Sequence, residues 1–327
     1  MTRTARRFAV DAAAVLVLAA ATLAGPALAS DKAIQRQTSF GGSCVKCELA
    51  GRNLAGARIV GANFAGANLM GANLRDARFH ASNFAGADLT KADLTDSAMA
   101  GANFSGADLS NARLRSAEAN GVAFVAATLS RADLTDAQAS GAAFRRAVLV
   151  GMVARNAKLR GANFDGARLA SAVLRGASLQ GASLSRAEAQ GAEFRDADLT
   201  GANLSGGSFA DASFRSADLS QANLSGAGFD GADFRDAGLR RALLHGADLA
   251  NARGLKQDQL DDACGDSRTK LPRGLSVRPC TGVRLIVKPG VVQHRALQMV
   301  PAVPASPVSP PSPPSPPNPR YITTVSP

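Results

Sequence analysis

The sequence is poor in aromatic residues other than Phe, and in residues suited to acid–base or metal chemistry. Its 327 residues include no Trp, one Tyr, three His and four Cys. A large α/β enzyme usually needs more aromatic bulk in its core than this. No strongly apolar run of about 18 residues follows residue 30, which excludes a polytopic membrane protein. The sequence is therefore more informative about the architecture of the protein than about its biochemical activity.

The N-terminal segment, residues 1–29, has the features of an export signal. Arg3, Arg6 and Arg7 give a positive start, an apolar stretch follows, and Ala29 is a small residue before Ser30. We therefore predict a periplasmic or secreted protein that is cleaved after Ala29, with an uncleaved anchor as the alternative. Export leads to an oxidising compartment, where an even number of cysteines favours disulfides.

A five-residue repeat fills residues 49–253. At every fifth position from Leu49 to Leu249, Leu, Ile, Phe or Met occupies 37 of 41 positions. Two residues earlier in the repeat, from Ala57 to Ala252, 35 of 40 positions hold Ala. Two residues after the bulky position the chain favours Gly, Asn, Asp and Ser, which tolerate tight turns. Each pentad is therefore predicted to form a short extended side and a corner, with the bulky residue and the Ala pointing inward.

A second spacing, of four pentads, relates the Phe residues to one another. Six of them share one column, and these are Phe64, Phe84, Phe104, Phe124, Phe144 and Phe164. If one coil has four sides, each column is a stack along the axis of a solenoid. The sequence thus predicts an all-β solenoid of about ten coils, roughly 50 Å long at about 4.8 Å per coil.

The repeat runs GANFAGANLMGANL (61–74) and ADLTGANLSG (197–206) resemble the pentapeptide repeat family. That resemblance covers residues 49–253 and implies a right-handed quadrilateral β-helix. It carries architecture more than function, because members of the family differ in what they do. Around the repeats we predict a signal peptide (1–29), an N-terminal segment and cap (30–48), a C-terminal cap with a hairpin-like pattern (254–300) and a Pro-rich disordered tail (301–327).

The four cysteines lie at the two ends of the predicted solenoid. Cys44 and Cys47 fall in the bulky and alanine slots, which indicates that they fill a first, incomplete coil. A redox pair and half of a zinc site are the alternatives, and a disulfide between the two is a further expectation. Beyond the other end, Cys264 and Cys280 are predicted to form a disulfide that stabilises the cap by about 3 kcal/mol.

The C-terminal cap resembles the segment that follows the repeats in some exported members of the family. Residues 257–263 are predicted to be helical, with Leu260 facing the last coil. A solenoid needs such an end, because its last coil would otherwise expose apolar core and unpaired edge groups.

One outward-facing column of the repeat is basic. The residue after the bulky one is Arg in five consecutive coils, and we call these the arginine column: Arg155, Arg175, Arg195, Arg215 and Arg235. Neutralisation by nearby acids such as Asp196 and Asp236 is one interpretation. The other is an anion-binding face, since a row of Arg suits phosphate or carboxylate. Because Gly and Ser follow Arg175 and Arg215, we expect the positive potential to peak there.

No catalytic constellation, cofactor motif or metal site is apparent in the sequence. The three histidines, His80, His245 and His294, have no nearby Cys or His at ligand spacing, and the glycines belong to corners. We therefore expect no enzymatic activity, no cofactor and no metal.

Two functions remain as hypotheses. The first is an exported scaffold that binds a protein partner, with homodimerisation as a further expectation. The second is a binder of an anionic polymer or lipid surface through the arginine column and the basic tail. A DNA-mimic role is not expected, because residues 49–253 carry 22 basic and 19 acidic side chains, a net charge of +3 rather than a strongly acidic surface.

Overall fold

The computed structural model describes residues 39–40 and 42–280. The predicted signal peptide, the hairpin-like pattern over 283–300 and the Pro-rich segment lie outside these residues. The helix and the strands are short. Strand β1 (Ser39–Phe40) pairs in parallel with strand β2 (Arg58–Ile59). Helix α1 (Gln257–Leu260) is followed by strands β3 (Cys264–Gly265) and β4 (Arg278–Pro279), which also pair in parallel. In this part of the chain, no helix has the length and apolarity needed to span a bilayer.

Most of the chain is held by single parallel bridges between residues that lie four pentads apart. These bridges continue at every fifth position from Ser43↔Asn63 to Asp233↔Arg253. One turn of the solenoid therefore takes four pentads, as the spacing of the Phe residues predicts. Near the C-terminal end the separation grows by one position, at Leu243↔Cys264.

The hydrogen bonds of one pentad explain why a coil stacks on the next. The amide of the bulky residue Leu69 donates to the carbonyl of Asp88 at 2.7 Å, and the amide of Gly71 donates to that of Thr90 at 2.8 Å. Within the corner, the amide of Ala72 donates to the carbonyl of Leu69 at 2.9 Å. The backbone groups of each side and corner are thus satisfied without long strands.

Every corner from Gly51 to Gly246 has a residue with positive φ two positions after the bulky one. Gly adopts this left-handed conformation readily, but Ala126 (φ 55°) and Arg131 (φ 56°) adopt it as well. A side chain there costs about 1–2 kcal/mol. The repeated contact between coils offsets that cost, since the amide of Ala126 donates to the carbonyl of Arg145 at 2.9 Å.

The core is built from the bulky and alanine slots. Residues in these two slots are buried along the array, as the pentad pattern predicts. The six Phe residues of the first column stack with ring centroids 4.8–5.4 Å apart. A second stack, Phe194–Phe214–Phe234, has centroids 5.1 Å apart, and Phe209 and Phe229 meet it edge-on.

One exception in the alanine slot has a direct steric cause. Gly207 stands where Ala is usual, and a Cβ at this position would lie 2.5 Å from Cε2 of Phe209. The ring of Phe209 therefore occupies the space that the methyl group fills in other pentads.

Helix α1 packs at the C-terminal end of the described core through Leu260. Leu260 is fully buried, as predicted, but the helix ends there and residues 261–262 form a turn, so it is shorter than the 257–263 expected from the sequence. The side-chain amide of Gln259 donates to the carbonyls of Phe234 (2.9 Å) and Ala237 (2.7 Å). The carbonyl of Ala237 thereby gains the bond that a further coil makes to the alanine slot elsewhere in the array.

Candidate functional site

The fold sets the arginine column along one side of the solenoid. Each Arg follows a buried core residue, so that Phe194 points inward and Arg195 outward. The bridges beside the column, such as Val153↔Val173 and Glu193↔Ser213, bring its members onto successive coils. At about 4.8 Å per coil, the five side chains start from points that span roughly 19 Å.

Arginines on this side pair mainly with carboxylates of the next coil, 18 or 21 positions later in the sequence. Nη1 of Arg115 lies 3.8 Å from Oδ2 of Asp133, and Nε of Arg175 lies 3.2 Å from Oδ2 of Asp196. All four side chains are at least partly exposed, so each pair contributes only about 0.2–1 kcal/mol. The neutralising acid is therefore found across the coil boundary, and not in the residue that directly follows each Arg.

Arg235 is paired within its own coil. Its Nε lies 2.9 Å from Oδ1 of Asp233, a carboxylate that is buried. The hydrogen bond from this guanidinium lowers the pKa of Asp233, and the same bond raises the pKa of Arg235. The last member of the column is thus neutralised.

Arg155 and Arg195 lie where both partner positions lack an acid. The residues 18 and 21 positions after Arg155 are Val173 and Gly176, and those after Arg195 are both serine. Neither guanidinium has a carboxylate within 4.0 Å among the described residues. Nε of Arg195 is also buried without a hydrogen-bond partner in this part of the structure.

Arg215 is the third member of the column without an ion pair within residues 42–280. The acid 18 positions ahead of it, Asp233, is held by Arg235, and Arg215 acts on that carboxylate only at longer range. The expectation of a positive peak at Arg175 is wrong, because Asp196 of the next coil contacts that side chain. The physical reason is the four-pentad coil, which brings an acid of the next coil closer than one that follows in sequence. The charge without a close partner lies at Arg155, Arg195 and Arg215.

A surface cleft of about 510 Å³ lies beside the column. Its walls are Arg155, Asn156, Arg175, Gly176, Glu193 and Asp196. The corner positions of the coils on either side carry the side chains of Asn156 and Asp196, whereas Gly176 has none. A Cβ there would lie 2.7 Å from Oδ1 of Asn156. The sequence predicts the Arg residues of this cleft but not the cleft itself, which depends on neighbours in adjacent coils.

Both cysteine pairs are bonded in the structure. Cys264 is joined to Cys280 with their Cα atoms 4.8 Å apart, and Cys44 to Cys47 with their Cα atoms 5.2 Å apart. Cys44 is buried at the start of the core and Cys47 packs against it. The pairs therefore lie at the two ends of the described solenoid.

One histidine is less isolated than the sequence predicts. Nδ1 of His245 lies 3.8 Å from Sγ of Cys280, a contact hidden by their distance along the chain. Over residues 39–40 and 42–280, no group of three or more His, Cys, Asp and Glu side chains is placed to hold a metal ion.

Comparison with known proteins adds a family match. A family model described as pentapeptide repeats matches in eight overlapping copies, at residues 47–84, 77–115, 87–131, 112–151, 132–169, 155–191, 167–206 and 192–228. A comparison with the curated proteins found no match.

Solved structures with similar sequences include HetL, a pentapeptide repeat protein involved in heterocyst differentiation regulation in the cyanobacterium Nostoc. It is 30% identical, the alignment covers 70% of this chain and 92% of HetL, and the TM-score is 0.41. QnrB1, a plasmid-mediated fluoroquinolone resistance protein, is 24% identical over 64% of this chain and 89% of its own, with a TM-score of 0.25. A pentapeptide repeat protein from the Arabidopsis thaliana thylakoid lumen is 31% identical over 30% of this chain and 67% of its own, with a TM-score of 0.19.

Proposed function

This chain belongs to the pentapeptide repeat family, whose members fold as right-handed quadrilateral β-helices, and we propose that it is a non-enzymatic exported scaffold that binds a protein partner. In this proposal a rod of about ten coils with a helical cap presents the binding surface. Proteins of the family are generally structural or interaction proteins, which supports a binding role over catalysis.

The observation that carries the proposal is the fixed spacing of the outward side chains. Each coil is bonded to the next through backbone groups at four-pentad intervals, so every outward position is repeated at a constant rise. A surface ordered by the backbone loses little conformational entropy when a partner binds. Such a surface suits recognition of a partner with a matching array of contacts.

Export is proposed on the features of residues 1–29, and the paired cysteines at both ends fit an oxidising compartment. N-terminal sequencing of the protein from a periplasmic or secreted fraction is expected to begin at Ser30. Recovery of full-length protein with the membranes would replace a cleaved signal with an anchor.

The binding role is tested by cross-linking in that fraction, followed by capture of the tagged protein. One triple variant changes Arg175, Arg195 and Arg215 to Gln. A matched control changes the exposed Arg145, Arg160 and Arg240 to Gln, which removes the same charge from other sides of the coil. A specific partner that survives in the control and is lost in the first variant would place its contact on the arginine column, and the absence of any partner with wild-type protein would contradict the proposal.

A second candidate function is binding of an anionic polymer or lipid surface. It is favoured by the lack of close carboxylate partners at Arg155, Arg195 and Arg215 within the described residues. Retention on heparin or on vesicles containing phosphatidylglycerol is expected to fall steeply with salt, because exposed charges are screened. It should also fall more in the arginine-column triple variant than in the control triple variant. Equal loss in the two variants would assign the effect to net charge alone.

A further inference from the structure

We propose that the cleft beside Gly176 binds a small zwitterion, a molecule or terminal group that carries both a carboxylate and an ammonium ion. The inference goes beyond both candidate functions, because it assigns a different ligand class to one part of the arginine column. It depends neither on export nor on a protein partner. Six residues line the cleft, and all of them are polar except Gly176.

The anionic group of the ligand would lie between two guanidinium groups. Arg155 has no hydrogen bond or ion pair from its side chain among the described residues. Arg175 uses Nε to reach Asp196, which leaves its two Nη groups outside that contact. The two side chains start one coil apart, about 4.8 Å. Two guanidinium groups on neighbouring coils can each donate to one oxygen of a single carboxylate.

The cationic group of the ligand would lie at the opposite rim. Glu193 lines the cleft and is exposed, and its carboxylate has no hydrogen bond or ion pair within the described part of the chain. With Asp196 beside it, a second negative group on the ligand would be repelled. Glu193 bridges to Val173, two residues before Arg175 in the neighbouring coil, so its level along the axis is about 4.8 Å from that of Arg175.

The cleft therefore suits a different ligand from the one that suits the rest of the arginine column. A polyanion lying along the column would be repelled here by the carboxylates of Glu193 and Asp196. A zwitterion, in contrast, can pair with Arg155 and with Glu193 at the same time. Gly176 lines the cleft without a side chain, and a Cβ at this corner would collide with Oδ1 of Asn156. The geometry thus favours one discrete ligand over a continuous polymer at this point.

The test uses three probes of one chain length: 6-aminohexanoate, hexanoate and hexylamine. Binding is measured by titration of backbone amide NMR shifts at low ionic strength. We expect 6-aminohexanoate to bind in the millimolar range and about fivefold more tightly than hexanoate, as one exposed charge contact allows. Shifts should centre on the amides of Arg155, Gly176 and Glu193. Equal affinity for all three probes, or shifts elsewhere, would overturn the proposal.

Variants separate the two ends of the site. Arg155→Gln should weaken 6-aminohexanoate about fivefold, whereas Glu193→Gln should remove the preference over hexanoate without weakening hexanoate itself. Both residues are exposed, so the fold should be retained, as circular dichroism will check. Gly176→Ala should also weaken binding, because its Cβ would displace the side chain of Asn156, which lines the cleft.

Arg215→Gln is the matched control, because Arg215 belongs to the same column, lacks an ion pair in the described structure and lies outside the cleft. It should leave zwitterion binding unchanged. If it weakens 6-aminohexanoate as much as Arg155→Gln does, the whole column acts as one surface and the discrete site is refuted. Loss of heparin binding in Arg215→Gln with zwitterion binding intact would support both functions, and unchanged binding of both would count against polymer binding by the column but not against the zwitterion site.

Discussion

The repeat body (residues 44–253) and the C-terminal cap (residues 254–280) close one core by different means. In the body, each coil uses backbone bonds at a constant separation of four pentads. In the cap, the separation grows by one and then by two positions, and side chains such as Gln259 take over bonds to the last carbonyls. The body is therefore specified by residue type at each slot, whereas the cap depends on individual contacts.

This difference predicts where single substitutions act. In a solenoid each coil contacts only its neighbours, so a core defect weakens two interfaces at once. A defect in the cap removes one end, which exposes the final coil but leaves the others paired.

The largest effect is expected in the body, at the centre of the first Phe stack. The ring of Phe124 lies 5.4 Å from that of Phe104 and 5.0 Å from that of Phe144, and it is fully buried. Phe124→Ala should lower the free energy of unfolding by about 3–5 kcal/mol, measured by urea denaturation. The control is the neighbouring Val125→Ala, at an outward position, with a change of about 0.5 kcal/mol or less. Similar values for the two would contradict the inward stacking.

The next effect concerns the cap. Cys264→Ser opens the disulfide to Cys280, and should lower the stability of the cap by about 3 kcal/mol. Hydrogen exchange should rise at the amide of Lys270 and change little at that of Ala127 in the body. Labelling of both thiols in native protein without reductant would show that the bond does not form in solution.

The sequence predicts features that depend on residue type at each slot, but not those that depend on individual contacts between coils. The resemblance to the family is confirmed, and the inward slots follow from residue types that repeat at every fifth position. The pairing of Arg175 with Asp196 does not follow from the residue directly after each Arg, because the partner lies on the next coil. The cleft at Gly176 and the contact of His245 with Cys280 also join residues of different coils, and single-slot patterns carry no signal for them.

A smaller effect is expected at the corners of the body, where Ala126 and Gly121 share the left-handed conformation. Ala126→Gly should raise the free energy of unfolding by up to about 1 kcal/mol, because Gly adopts positive φ without a steric cost. Gly121→Ala should lower it by about the same amount, although open space surrounds a Cβ at that corner. Thermal unfolding of the two variants measures both changes in stability. Changes of equal sign would show that corner φ does not limit stability.

The smallest effect is a dependence of the cap on acid. Asp266 accepts hydrogen bonds from the amide of Gly246 (2.8 Å) and from the side chains of Arg268 and Thr269, and these bonds, that of Gly246 above all, lower its pKa. The carboxylate therefore stabilises the cap above the unfolded-state pKa of about 3.9, and this stabilisation is lost as the pH falls through the lower folded-state pKa.

The measurement is hydrogen exchange at the amide of Gly246, with the amide of Ala127 as the body reference. Protection of Gly246 should decrease below about pH 4, relative to that reference, after correction for intrinsic exchange. Asp266→Asn keeps a side chain of similar shape without the titrating charge. In this variant, protection of the Gly246 amide should be weaker at neutral pH and insensitive to acid. If wild type and Asp266→Asn respond equally to acid, the pH dependence belongs to other carboxylates, such as Asp248 with its lowered pKa beside Lys270.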